Sequence, residues 1–200
     1  MHDNENIVPS QETGTAIEAK ADVSFPSARE AKELFQTAKK RLQNVNAWHT
    51  IARNISAEFH LVTNNGDVLK REPRQGDFFK IDIPGPGPNT GNGFDWVQLE
   101  EVVSTNYNDE ESYGFRVRPS YNPTANNGDV AHFYAPESTS TFLVTRKANT
   151  VSAHVYDRNT KVNENVAQTG DVIRDTLVGA AGLLGFSKLQ WQGLVKGLIA

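Results

Sequence analysis

The chain has no cysteine among its 200 residues, so disulfides, thiolate metal sites and a cysteine nucleophile are excluded together. Long apolar runs are missing too. The most apolar-rich stretch, Leu177 to Phe186, is far shorter than the roughly 20 residues that span a bilayer, and no stable membrane insertion is expected. Met1-His2-Asp3-Asn4-Glu5-Asn6 lacks the basic and apolar regions of a signal peptide. That reads as a cytoplasmic protein, in which the Asn54-Ile55-Ser56 sequon is a chance occurrence. Positive charge is scarce: 20 Lys and Arg stand against 24 Asp and Glu, a net charge of −4. Nucleic acid, which needs clustered cations along its phosphates, is not an expected partner. No Gly-x-Ser-x-Gly elbow is present, so an α/β-hydrolase triad has no support. His2, His49, His60, His132 and His154 form no His-x-His or His-x-x-x-His pair, and neither a metal nor a cofactor is expected.

What the chain has is periodicity, and 38% apolar residues in regular patterns exclude disorder. Residues 1–14 are polar and without period, and read as a flexible N-terminal arm. Ile17, Ala19, Ala21, Val23 and Phe25 alternate with Glu18, Lys20, Asp22 and Ser24, which predicts a half-buried strand. Pro26 stops the alternation. Ser27 and Glu30 then form a capping box, and Ala31, Leu34, Phe35, Ala38, Leu42 and Val45 make one helical stripe that ends before Trp48. Beyond residue 54 the period falls to two. Ile55, Ala57, Phe59 and Leu61 share a face; Phe79, Ile81 and Ile83 follow, then Tyr113, Phe115 and Val117, then Phe142 and Val144, then Val151, Ala153 and Val155. Asn64-Asn65-Gly66-Asp67 and Asn126-Asn127-Gly128-Asp129 are turn signals between such segments. Seven or eight strands fit between 54 and 157, and connections this short require a mostly antiparallel sheet. The chain closes with a helical stripe, Ile173, Leu177, Ala180, Ala181 and Leu184. Gly185 interrupts it, Ser187 to Gln190 supplies a second capping box, and Trp191, Leu194, Val195 and Leu198 follow. Glycines at 179, 182, 193 and 197 each weaken the helix by about 1 kcal/mol and permit close approach to the sheet.

This order resembles the START-like superfamily (SRPBCC, helix-grip, Bet v 1-like). The residues that carry the likeness are Ile17 to Phe25, Pro26, Ser27 to Val45, Trp48, and the helix from about 171 onward. Two features depart from the family pattern: one or two strands beyond the usual six after the helices, and a last helix split at Gly185. The expected fold is α+β, a curved antiparallel β-sheet of helix-grip type packed on a C-terminal helix. An N-terminal strand and helix come first, and residues 15–200 form a single START-like domain. The resemblance implies an apolar cavity between sheet and helix that takes lipids, sterols, polyketides or other apolar small molecules; some members are cyclases or hydrolases.

Several constellations have more than one reading. The run Pro84-Gly85-Pro86-Gly87-Pro88-Asn89-Thr90-Gly91-Asn92-Gly93 offers glycines, but its prolines remove amide donors and a strand follows it, so it is a stiff connection or a lid and not a phosphate cradle. Trp48 and Trp96 read as core or rim packing, or as stacking platforms. Arg116, Arg118, His132, Tyr134, Arg146, His154, Tyr156 and Arg158 lie opposite the apolar phase or at strand ends. They form either the solvated face of an antiparallel sheet or, for Arg118, His132 and Tyr134, a cavity rim that orients an anionic head group. The resulting expectation is a binder of an apolar or amphipathic small molecule, with Phe59, Phe79, Trp96, Phe115, Arg118, His132, Tyr134, Phe142, Leu177 and Leu184 as its ligand-binding residues. A polyketide cyclase or dehydratase using His132, Tyr134 or His154 is the alternative. So is a non-catalytic protein-interaction module with an exposed apolar patch around Trp191 and Leu198.

Overall fold

A computed structural model of the chain describes residues 7–52, 57–83, 88–107, 109–126, 128–163 and 180–200, with side chains in the last stretch from 184 onward. The alternating segment is a strand, β1 (Thr15–Ser24), with Ile17 and Ala19 buried and Glu18, Lys20 and Ser24 turned outward. Helix α1 (Ala28–Gln43) starts where the capping residues predict. The Glu30 N–H donates to Ser27 Oγ at 3.3 Å, and Ser27 Oγ in turn donates to the Glu30 carboxylate at 2.6 Å. Ala31, Phe35, Ala38 and Leu42 are its buried stripe. A single 3-10 turn (Val45–Ala47) leads into the short α2 (Trp48–Ile51). Asn46 holds that turn to the sheet: its Oδ1 accepts the Leu61 N–H and its amide donates to the Leu69 carbonyl, both at 2.8 Å.

The meander follows as β2 (Glu58–Val62), β3 (Phe78–Asp82), β4 (Asp95–Tyr107), β5 (Glu110–Pro119), β6 (Thr139–Lys147) and β7 (Thr150–Thr160). These are six strands among the described residues, not seven or eight, because β4 runs unbroken for 13 residues through an irregularity between Leu99 and Glu101. All pairings are antiparallel, and the order is β1-β7-β6-β5-β4-β3-β2. The N-terminal strand therefore pairs with the last one. The C-terminal helix, α3 (Ala180–Leu198), lies across β1 and β7 and touches α1 and α2. The fold is of the helix-grip type.

Helix α3 differs from its sequence reading in three ways. It continues through Gly185 without a break, because one glycine costs a helix only about 1 kcal/mol and the turns on its C-terminal side are packed in the core. Ser187 does not cap a second helix; its hydroxyl meets the Tyr134 phenol instead. Gly193 and Gly197 serve contact with the α2 end, not with the sheet: a Cβ on Gly197 would stand 2.1 Å from the Ile51 carbonyl oxygen, and one on Gly193 would stand 2.9 Å from that of Ala52, while Gly179 lies outside the described residues. Arg41 finishes the helix, donating from Nη1 to the carbonyls of Leu198 and Ala200 at 3.0 and 2.6 Å.

One hydrophobic core fills the concave face beneath these helices, and a smaller one (Val62, Phe78, Trp96, Ala131) lies on the opposite face. At the far side of the sheet, Ile7 is buried and its carbonyl accepts from Arg116 at 2.8 Å. Asn159 clamps the segment after it: its Oδ1 accepts the N–H groups of Glu12 and Thr13 at 2.7 and 3.0 Å, and its amide donates to the Ser10 carbonyl at 3.1 Å.

Candidate functional site

The space between the sheet and α3 is mostly occupied by rings. Trp48 is fully buried, donates its indole N–H to the Leu42 carbonyl at 3.1 Å, and sits 4.9 Å from the ring of Phe142, 5.3 Å from Phe59 and 6.1 Å from Phe115, to which it is parallel. Trp191, entering from α3, meets Phe142 at 5.1 Å and Phe59 at 6.1 Å. What is left is a chamber of about 40 Å³. Its apolar walls include Phe59, Phe79, Phe142, Phe186 and Trp191, and its polar wall is formed by His132, Tyr134, Ser140, Ser187 and Gln190.

The polar wall is built by long-range hydrogen bonds, which is why no local period announces it. The segment carrying His132 and Tyr134 connects β5 to β6. It is pinned to β4 by Trp96 N–H to the Ala131 carbonyl and by Phe133 N–H to Asp95 Oδ1, both 2.8 Å. On its other side Ala135 N–H donates to the Lys161 carbonyl, and Asn163 N–H to that of Phe133. The Tyr134 N–H donates to His132 Nδ1 at 2.9 Å, and the Tyr134 phenol lies 3.0 Å from Ser187 Oγ. Burial, and next the nearby Asp157 carboxyl, push the Tyr134 phenol above its ordinary range, with the Ser187 hydroxyl opposing them.

Behind this wall is a residue that the sequence reading did not single out. Asp157 is fully buried, and its Oδ2 accepts the Trp191 indole N–H at 2.7 Å. Loss of water raises its carboxyl to about 6; the Ser140 side chain, the Trp191 N–H and Arg158 offset this in part. A signal for it was available: Val151, Ala153 and Val155 are the inward phase of β7, and Asp157 is the next member of that series. The two remaining orphans on this side are acceptors. Among the described residues, Asp157 Oδ1 and Gln190 Oε1 have no hydrogen-bond partner. An unpaired buried acceptor is costly unless something donates to it.

The other expected ligand-binding residues fall in several places. Phe59, Phe79, His132, Tyr134 and Phe142 line the chamber; Phe115 is packed behind it against Trp48. Leu184 is half-buried at a neighbouring cleft, and Leu177 lies outside the described residues, as do Ile55, Ile173, Asn127 and the Pro84 to Gly87 part of the loop. Trp96 faces away from the chamber into the second core, its indole N–H donating to the Gly91 carbonyl at 3.2 Å, so residues 88–93 serve that core. Arg118 is not at the rim. With Arg116 it grips Glu100 on the outer face, at 2.5 and 2.8 Å, and the two guanidiniums outweigh the effect of burial to hold the Glu100 carboxyl below its usual range. His154, Tyr156 and Arg158 share that outer face; Arg158 pairs with Glu18. Arg146 is inward but at the opposite end, in a buried ion pair with Glu111 at 2.5 Å under α1. The polar set is thus divided between two faces, and only His132 and Tyr134 reach the chamber. Trp191 and Leu198 are buried, so neither contributes to the exposed patch expected around them; among the described large apolar residues of α3, Leu189 is the exposed one.

Tyr134 also borders an open cleft of about 620 Å³, together with Thr15, Ala135 to Glu137, Thr160 to Asn163 and Leu184. No group of three or more His, Asp or Glu among the described residues could hold a metal ion. No described helix is long and apolar enough to cross a membrane.

No protein-family profile matches the chain, and no curated protein sequence matches it. Solved structures do. The hypothetical protein jhp0584 from Helicobacter pylori is 14% identical, with 96% of this chain and 92% of that one covered, at a TM-score of 0.49. Truncated norcoclaurine synthase from Thalictrum flavum is 8% identical, with 92% and 96% covered, at 0.35. Ginseng major latex-like protein 151 from Panax ginseng is 13% identical, with 86% and 97% covered, at 0.35. Each of these alignments runs over most of both chains. Likenesses this distant concern layout alone, and the helix-grip assignment rests on the strand order and the seat of α3.

Proposed function

We propose that the protein binds a small apolar or amphipathic molecule between the concave sheet face and α3, reached through the cleft at Tyr134. The observation that carries this reading is that Tyr134 is a wall of both the 40 Å³ chamber and the 620 Å³ cleft. The chamber alone falls short of the roughly 300 Å³ at which small-molecule sites begin. Trp48 and Trp191 are the reason, since their rings occupy the volume that the resemblance would leave open. Binding therefore requires a second conformation in which Tyr134 leaves Ser187 and the two spaces join. The cost of that opening lowers the apparent affinity by the fraction of molecules open.

Titration with an uncharged apolar fluorescent dye such as N-phenyl-1-naphthylamine, alongside native mass spectrometry of the purified protein, tests the reading. The wild type should take up dye, and Tyr134→Ala, which removes the wall, should bind about tenfold more tightly. If neither protein binds dye nor carries a co-purifying small molecule, the reading fails. A cyclase or dehydratase on the same chamber is favoured by one observation: His132 and Tyr134 both line it. His154 does not serve that chemistry, being on the outer face. Loss of turnover in His132→Gln with ligand binding retained would support this second reading.

A further inference from the structure

The sign of the head group follows from the buried acceptors, given the binding reading above. We infer that the polar end of the chamber recognises a cationic hydrogen-bond donor, the ammonium of a small amphipathic amine, in place of the anionic head group that Arg118 suggested. Gln190 Oε1, on a residue of the chamber wall, and Asp157 Oδ1, in the layer behind Trp191, are both buried oxygens without a partner among the described residues. A carboxylate oxygen and an amide oxygen can only accept, so what completes them is a donor.

Charge points the same way. The guanidiniums that would welcome an anion are engaged elsewhere: Arg116 and Arg118 with Glu100 on the outer face, Arg146 with Glu111 under α1, and Arg158 with Glu18. Arg158 is next to Asp157 in sequence, and in a strand that turns it to the opposite face. An anionic head group would be placed near a buried carboxyl that Arg158, turned to the other face and paired with Glu18, offsets only in part. An ammonium would be drawn toward the Asp157 charge behind the wall and would sit among the aromatic rings of Phe142 and Trp191.

Size agrees as well. One water-sized group needs about 10–15 Å³ on this measure, so the chamber takes a head of about three to four heavy atoms. The remainder of the molecule would pass Tyr134 into the cleft. That cleft carries Glu137 and Lys161, one charge of each sign, and so does not select by charge.

The test is a matched series of one chain length, n-hexylammonium, 1-hexanol and hexanoate, titrated calorimetrically into the whole protein at about pH 7.5, where all three are in defined charge states. Hexylammonium should bind at least about tenfold more tightly than hexanol, with hexanoate weakest. Asp157→Asn should abolish the preference and leave hexanol binding in place, and Gln190→Met should reduce it. If hexanoate binds as well as hexylammonium, or Asp157→Asn keeps the preference, the amine assignment is wrong although the apolar site stands. If none of the three binds, while dye is also refused, the binding reading falls with it. The wild-type series and Gln190→Met decide the matter even where Asp157→Asn does not fold.

Discussion

At the scale of single residues, two side chains set the character of the concave face. Trp48 is the largest fully buried side chain and is in ring contact with Phe59, Phe79, Phe115 and Phe142. Trp48→Ala should cost about 3–5 kcal/mol in urea unfolding, because packing on all sides prevents collapse into the hole. Asp157 works against stability. Its carboxyl titrates near 3.8 in an open chain and at about 6 when folded. Below 3.8 it is neutral in both states and costs nothing. Between the two values the unfolded chain ionises while the folded one does not, so stability falls as pH rises, and above about 6 the full cost is present. Asp157→Asn keeps an oxygen for the Trp191 N–H and removes the charge. It should therefore raise unfolding free energy at about pH 7.5 by up to about 3 kcal/mol, with the gain shrinking as pH falls toward 4. Equal or lower stability of the variant at both pH values would contradict the buried-charge account.

At the scale of elements, α3 shows what local sequence rules can and cannot report. Gly185 and Gly197 look alike in sequence, and each is a weak helix position. In the fold they are opposites. Gly185 has open space around a Cβ, whereas at Gly197 a Cβ would stand 2.1 Å from the Ile51 carbonyl oxygen. Gly185→Ala should stabilise by about 0.5–1 kcal/mol in thermal or urea unfolding. Gly197→Ala should destabilise by more than that, because α3 must be forced away from α2. The same distinction explains what was legible. Periodicity identified β1, α1 and the inward residues of β5, β6 and β7, since each face repeats within its own segment. It could not separate Arg118 from Tyr134, because which face a polar residue joins depends on partners far away in the chain. Tyr134 lies in an irregular connection fixed by Asp95 and by residues 161–163, and no local pattern records that. Asp157 was legible as an inward position of β7; its polarity concealed it from a search for apolar alternation.

At the scale of the whole molecule, one sheet separates two cores, and only the concave one borders the chamber and the cleft. Its three tryptophans report on different parts of this arrangement. Trp48 is sealed among rings beneath α1, Trp96 belongs to the second core on the opposite face, and Trp191 forms the chamber wall with its N–H on Asp157. A molecule that enters at Tyr134 and reaches the polar end changes the surroundings of Trp191 and leaves those of Trp96 as they were. Addition of hexylammonium should therefore shift intrinsic fluorescence in the wild type and in Trp96→Phe alike, and Trp191→Phe should lose most of that change. A response that disappears with Trp96 would place the ligand against the outer core, where Val62, Phe78 and Ala131 close around the indole and Asp157 is on the other side of the sheet. The face on which the signal is found thus decides between a ligand held in the grip of α3 and one attached to the back of the sheet.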